Sequence, residues 1–414
     1  GVVLFFVTSA IRADGIRLKE TFPRLMGMNI GAKNYHESEY QKSIAKLDVA
    51  ILGFYPGWNY VGTQEPIRDV VRKIKGYNSK ILVGQYTILN EAYDNLDRNL
   101  AEKDKYLKLY NENWWLRNAA REKMQWTSRF GAWDVNITRW TNADEMGRRY
   151  SEWLAEQDYR VYFSSIPEFD IWFFDNVFDH PKVKMADWDL DGRDDSGDDE
   201  RIAKAYRDGH VREWESARRL NQKLIHIGNT DTDLSSPEYK GRLQGAFLEG
   251  MIGPWWSPET RYGWNKMMER YRSVLANTAY PHLVGFNVWG QINDYQRFRY
   301  GFTSCLLSDG YFSYNDEDKG YSSVPWFDEY DIDLGRAIDP PPTRSWQKGV
   351  YRRTFEKGMV LVNPTYWEVA VELEPGYRKL LGKQDQRINN GRAVSTIVLS
   401  GKDGVVLVRE IFTQ

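Results

Sequence analysis

Two short apolar runs in this 414-residue chain each end on a single carboxylate. One reads Asp170-Ile171-Trp172-Phe173-Phe174-Asp175-Asn176-Val177; the other reads Leu243-Gln244-Gly245-Ala246-Phe247-Leu248-Glu249-Gly250. In an extended strand alternate side chains share a face, so Asp175 follows Phe173 and Glu249 follows Phe247. A carboxylate delivered by an apolar strand is costly to bury unless it is paired or used. Either acid alone is accounted for by capping the next helix or pairing with an arginine. Two at one rim are the minimum apparatus for breaking a glycosidic bond. One attacks the anomeric carbon or activates water, and the other protonates the leaving oxygen.

Other residues that suit a sugar fall at the ends of similar runs: Tyr55, Trp58, Gln85, Tyr86, Asn176, Asn229, Asp231, Trp255, Asn287 and Trp289. Amides donate and accept at once, which matches hydroxyls, and aromatic faces cover the apolar CH faces of pyranose rings. Core packing is the competing account of any single tryptophan. An acidic loop, Asp187-Trp188-Asp189-Leu190-Asp191-Gly192-Arg193-Asp194-Asp195, matches the start of a calcium-binding loop. Asp187, Asp189, Asp191 and Asp195 are its candidate ligands for a structural calcium, against a solvated loop capping the helix near Glu200.

The elements that must position these residues are legible as apolar runs at 24–30, 47–55, 80–89, 170–176, 223–228, 243–248, 283–289 and 310–314. Helical patterns alternate with them at 66–75, 144–157, 200–221, 258–277 and 298–307, with Pro66 suited to a first helical position. Nearly all-apolar strands belong to a parallel sheet covered on both faces. Eight of them alternating with helices predict a (β/α)8 TIM barrel, whose chemistry gathers at the C-terminal strand ends. No glycine-rich phosphate turn follows the first strand, which argues against an open doubly wound sheet. The segment 91–140, with five tryptophans, reads as an elaborated loop shaping a cleft. Within it Asn136-Ile137-Thr138 forms a glycosylation sequon. Past the proline run 340–342 the period falls to two, predicting a small C-terminal antiparallel β-sandwich module. The expected division is an N-terminal extension or signal-peptide remnant over 1–20, a catalytic barrel over 21–338, and the β module over 345–414.

Composition narrows the partners. A net charge of −2 gives no electrostatic footprint for nucleic acid. One cysteine excludes an internal disulfide, and five histidines without an HExxH pattern leave zinc proteases no signature. A Gly-x-Ser-x-Gly elbow is likewise missing from the sequence. The apolar stretch 2–7 followed by small residues suggests export, hence a secreted protein, and no run is long enough for a membrane span. Aromatic residues reach 15%, with 17 Trp and 26 Tyr, which favours carbohydrate as the partner.

Several long blocks resemble hypothetical glycosyl-hydrolase-like family fifteen. They are the Asp175-Asn176 strand end, the 187–200 loop, Gly228-Asn229, the helix-to-strand block 299–314, the segment 326–335 and the module opening 353–364. The resemblance spans roughly residues 25–370. It implies a barrel of the α-galactosidase-like and polygalactosaminidase-like kind, with Asp175 as nucleophile and Glu249 as proton donor. The expectation is therefore a secreted, retaining glycoside hydrolase acting on a poly- or oligosaccharide and requiring no cofactor. A non-catalytic glycan-binding barrel and a polysaccharide deacetylase or esterase are the alternatives.

Overall fold

The computed structural model describes residues 18–32, 34–54, 64–96 and 100–410. The stretch expected to be an export signal, Tyr55 and Trp58 lie outside the described residues. Eight parallel strands form the barrel: β1 (Met26–Ile30), β2 (Val49–Gly53), β3 (Leu82–Ile88), β6 (Ile171–Val177), β9 (Ile225–Thr230), β10 (Gly245–Ile252), β11 (Leu283–Gly290) and β12 (Tyr311–Asp316). They lie in that order around the sheet. Closure is made where the Phe312 N–H donates to the Arg24 carbonyl at 2.8 Å, beside a parallel bridge from Leu25 to Phe312. All eight apolar runs thus form the barrel, because only apolar side chains suit strands enclosed on both faces.

The inward series is Met26, Met28, Val49, Ile51, Leu82, Tyr86, Ile171, Phe173, Ile225, Ile227, Phe247, Leu283 and Tyr311, which fill the barrel interior. The alternate residues, among them Ala50, Leu52, Val83, Trp172, Phe174 and Val284, pack against the surrounding helices. Those helices are α1 (Ser38–Ala45), α2 (Gln64–Tyr77), α4 (Tyr150–Asp158), α5 (Glu200–Leu220), α6 (Pro258–Tyr262), α7 (Trp264–Asn277) and α8 (Tyr295–Leu306). Pro66 is the third residue of α2 and not the first, still within the turn whose N–H groups lack helical partners. The single helix expected over 258–277 is broken at Gly263, whose φ of 84° lies in the left-handed region.

The insertion after β3 is a small layer with its own structure, where the sequence suggested a loop. It holds α3 (Leu100–Asn111) and a hairpin of β4 (Glu91–Tyr93) with β5 (Ala132–Asp134). Trp114 and Trp115 are buried with Trp188 and Tyr206 in a second core, so most of its aromatic residues are packing. The sequon asparagine is buried too. Asn136 donates to the Trp188 carbonyl and accepts from Thr138, which leaves the folded chain no accessible amide there. A short hairpin, β7 (Met185–Ala186) with β8 (Asp195–Ser196), closes the acidic loop.

The C-terminal module is one five-stranded antiparallel sheet in the order β13 (Tyr351–Phe355), β14 (Gly358–Asn363), β17 (Asp403–Arg409), β15 (Val369–Lys379), β16 (Ala393–Leu399). Val360 and Val362 face the barrel, while Met359 and Leu361 face a separate core with Val371 and Leu407. Arg299 on α8 fastens it. Its guanidinium donates to both oxygens of Asp403 at 3.0 Å and to Asp385 at 2.6 Å, all three residues being buried.

Candidate active site

One step above the apolar layer of Phe173, Ile227 and Phe247, the inward positions become Asp175, Asn229 and Glu249. The switch from apolar to polar at that height makes the floor of the barrel a core and its rim a site. Asn229 Nδ2 donates to Asp175 Oδ1 at 2.9 Å and to Glu249 Oε2 at 3.0 Å. Those two oxygens therefore lie no more than 5.9 Å from each other. The remaining oxygens are also held: Tyr86 Oη donates to Asp175 Oδ2 at 2.5 Å, and Tyr321 Oη to Glu249 Oε1 at 2.5 Å.

Burial pushes both acids above their ordinary carboxylate range. They differ in what opposes it. Asp175 is drawn back by Tyr86, Asn229 and the Asn176 backbone N–H. Glu249 has Tyr321 and Asn229, but the negative charge of Asp175 pushes it further up. The environments therefore separate the pair, with Asp175 the readier to ionise and Glu249 the readier to hold a proton.

A third acid reaches the same place. Glu91, which the sequence did not single out, accepts from Trp126 Nε1 at 2.8 Å and from Asn176 Nδ2 at 3.4 Å. Burial and the charge of Asp175 raise it above the usual range. Its cross-strand partner Asp134 is raised by burial to about 8. Asn176 itself has φ of 53°, a left-handed conformation at the point where β6 departs from regular pairing.

The other expected residues divide by strand parity. Gln85 points away from the barrel interior. It is wholly buried, and its amide is spent on the Phe54 backbone and the Tyr86 carbonyl, so it has no group left for a sugar. Asn287 is wholly buried, accepting from Gly250 N–H at 2.9 Å and donating to Ser313 and Asn315. It braces the residue after Glu249. Asp231 lies past the end of β9 in an ion pair with Lys182. Trp289 stands edge-on to Tyr321, ring centroids 5.3 Å apart, and its indole N–H has no hydrogen-bond partner among the described residues. Trp255 is exposed on the loop after β10.

In the acidic loop, oxygens of Asp187, Asp189 and Asp195 lie within 4.8 Å of one another, while Asp191 turns back to accept from the Arg193 N–H. Arg201 donates to Asp189 at 2.7 Å and to Asp195 at 2.9 Å, so the protein itself supplies a balancing charge there.

An inward pair of carboxylates bridged by one amide at the C-terminal rim of a (β/α)8 barrel is the arrangement that two-carboxylate glycoside hydrolysis uses. The profile of hypothetical glycosyl hydrolase family 15 matches residues 75–359, and the chain belongs to that family. No curated protein matches the sequence. Among solved structures, Eubacterium rectale Amy13B is similar at 9% identity and TM-score 0.53, over 95% of this chain and 98% of that one. The cycloalternan-forming enzyme of Listeria monocytogenes is similar at 10% identity and TM-score 0.50, over 94% of this chain and 42% of that one. An Anoxybacillus α-amylase aligns at 12% identity and TM-score 0.49, over 94% and 98%. At such identities these likenesses concern the fold. Among the described residues no helix is long and apolar enough to cross a membrane.

Proposed function

We propose that this enzyme hydrolyses O-glycosidic bonds of a poly- or oligosaccharide with retention of configuration, Asp175 acting as nucleophile and Glu249 as acid and base. The observation that carries this reading is the Asn229 amide bound to one oxygen of each carboxylate at 2.9 and 3.0 Å, which keeps those two oxygens within 5.9 Å of each other. Retaining enzymes use a gap of about 5–5.5 Å, whereas inverting ones need about 6.5–9.5 Å to admit a water between acid and sugar. In the first step the Asp175 carboxylate attacks the anomeric carbon while Glu249 gives its proton to the departing glycosidic oxygen. A glycosyl ester on Asp175 results. In the second, Glu249 takes a proton from water, whose oxygen attacks the same carbon and releases Asp175 as carboxylate. Glu249 ends protonated, ready for the next turn. The Tyr321 hydroxyl donates or accepts, so it serves Glu249 in both charge states.

The test is a screen of polysaccharides and aryl glycosides with wild type, Asp175→Asn and Glu249→Gln, followed by NMR of the first-formed anomer. Turnover by wild type alone with retained configuration is expected. Inverted product would overturn the nucleophile assignment. Equal turnover by all three proteins would overturn both roles.

A further inference from the structure

Tryptophan is ordinarily drawn into the interior, so an exposed indole is informative. Among the described residues only Trp126, Trp255, Trp256 and Trp367 expose more than a third of their surface. Trp126 adjoins the carboxylate site through its bond to Glu91. The other three are linked by contacts that run from the residue after Glu249, through α6, to the C-terminal module.

The connection is physical at each step. The ring of Trp256 packs on Gly250, the residue after Glu249, so closely that a Cβ there would stand 2.4 Å from it. Trp255, 81% exposed, comes next in the chain, and α6 follows at once with Glu259. Glu259 Oε1 accepts from Lys402 Nζ at 2.5 Å, and Lys402 sits 4.4 Å over the ring of Tyr366 in the module. Tyr366 and Trp367 follow one another at the turn between β14 and β15, 79% and 64% exposed.

That turn is held rigidly. Asn363 Nδ2 donates to the carbonyls of Trp367, Leu399 and Ser400 at 2.9–3.1 Å. Gly401 lies against the Tyr366–Trp367 peptide, and Gln296 of α8 donates to the Gly401 carbonyl at 2.9 Å. Two large rings are thus presented to water on a fixed turn that is bonded to the barrel. Holding them there forgoes the gain from burying them, and a rigid platform binds without an ordering cost. Flat rings beside an ammonium match the alternating CH faces and hydroxyls of a sugar chain.

We infer that Tyr366 and Trp367, together with Trp255 and Trp256, form an accessory binding face for a polysaccharide chain whose other end lies in the cleft. The inference rests on the glycosidase reading for its choice of ligand. Its test uses the full chain carrying Glu249→Gln, with and without Tyr366→Ala/Trp367→Ala, run by affinity electrophoresis through gels containing soluble starch, galactomannan, polygalacturonate or glycol chitosan. Retardation in at least one gel, weakened roughly tenfold by the double substitution, is expected. Both substituted rings are exposed, and equal melting temperatures verify the fold; Trp255→Ala, from the barrel side of the track, gives a second weakening. Retardation untouched by these substitutions, or no retardation in any gel, overturns the accessory face. Retardation that depends on the aromatic residues, in a protein whose wild type cleaves none of these polymers, upholds the face and removes the reading of these polymers as substrates instead.

Discussion

Tyr321 Oη lies 2.5 Å from Glu249 Oε1 although 72 positions separate the two residues. The contact is built from a distance: the Tyr321 carbonyl accepts from Asn29 and from Tyr40, both at 3.0 Å, so β1 and α1 hold the loop that carries the phenol. That phenol draws the Glu249 carboxyl down against the effect of burial.

Tyr321→Phe removes a donor to the carboxylate form, so Glu249 keeps its proton to higher pH. The alkaline limb of the kcat/KM profile is expected to move upward, with kcat/KM near neutrality lower by about 10- to 100-fold. A pH–rate series on any turned-over aryl glycoside measures it. An unmoved alkaline limb would show that another group sets it.

Asn229→Ala takes a donor from both acids at once and leaves their facing oxygens unbridged. Both carboxyl pKa values then rise, and the acid limb, set by ionisation of Asp175, also shifts upward. A loss of about 100-fold in kcat with little change in melting temperature is expected, since the amide serves the site more than the core.

Asp134 and Asp158 are raised by burial, to about 8 and about 7. Their unfolded values lie near 4, so the folded protein binds more protons between those limits. Their contribution to stability is fully present below about pH 4 and is lost as pH rises through 7 to 8. The melting temperature should therefore fall from pH 5 to pH 9, and Asp134→Asn and Asp158→Asn should each flatten that slope. Parallel slopes in the variants would contradict this assignment. Asp144 behaves oppositely: partners including Lys108 and Arg148 hold it at about 2, so its contribution persists until pH falls below about 4.

Arg299→Ala would leave Asp403 a buried charge without its cation and Asp385 with only the exposed Arg387 at 3.5 Å, a loss of about 3–5 kcal/mol. Arg299→Lys should recover little of it, because a single ammonium cannot reproduce the fork that engages both Asp403 oxygens. Chemical denaturation with tryptophan fluorescence reads both variants. Equal stability of the lysine variant and wild type would refute the role of the fork.

The barrel and the carboxylate pair were legible in the sequence because one physical rule wrote both. Strands enclosed on two faces must be apolar, so a lone acid at the end of such a run is conspicuous. Gln85 and Asn287 show where reading by type alone stops. Both are amides near strand ends, yet both are wholly buried and each satisfies neighbouring backbone or side chains. Glu91 and Tyr321 escaped notice because connections carry them, and nothing local reveals that a loop returns to the site. Its one signal was an acid directly after a buried strand, at Asn90-Glu91. The insertion misled for a related reason: tryptophan serves a core and a sugar platform equally, and only burial separates Trp114 from Trp126.

The left-handed turn at Asn176 suspends the alternation of β6, so two consecutive residues, Asp175 and Asn176, both come to lie beside Glu91. This limits which sequences the position accepts. Asn, Asp and Gly tolerate that conformation, whereas β-branched residues do not. Of the three, only Asn also offers an amide N–H to Glu91. A saturation library at position 176, selected for turnover, should accordingly return asparagine, with glycine as a weak second and valine, isoleucine and threonine missing.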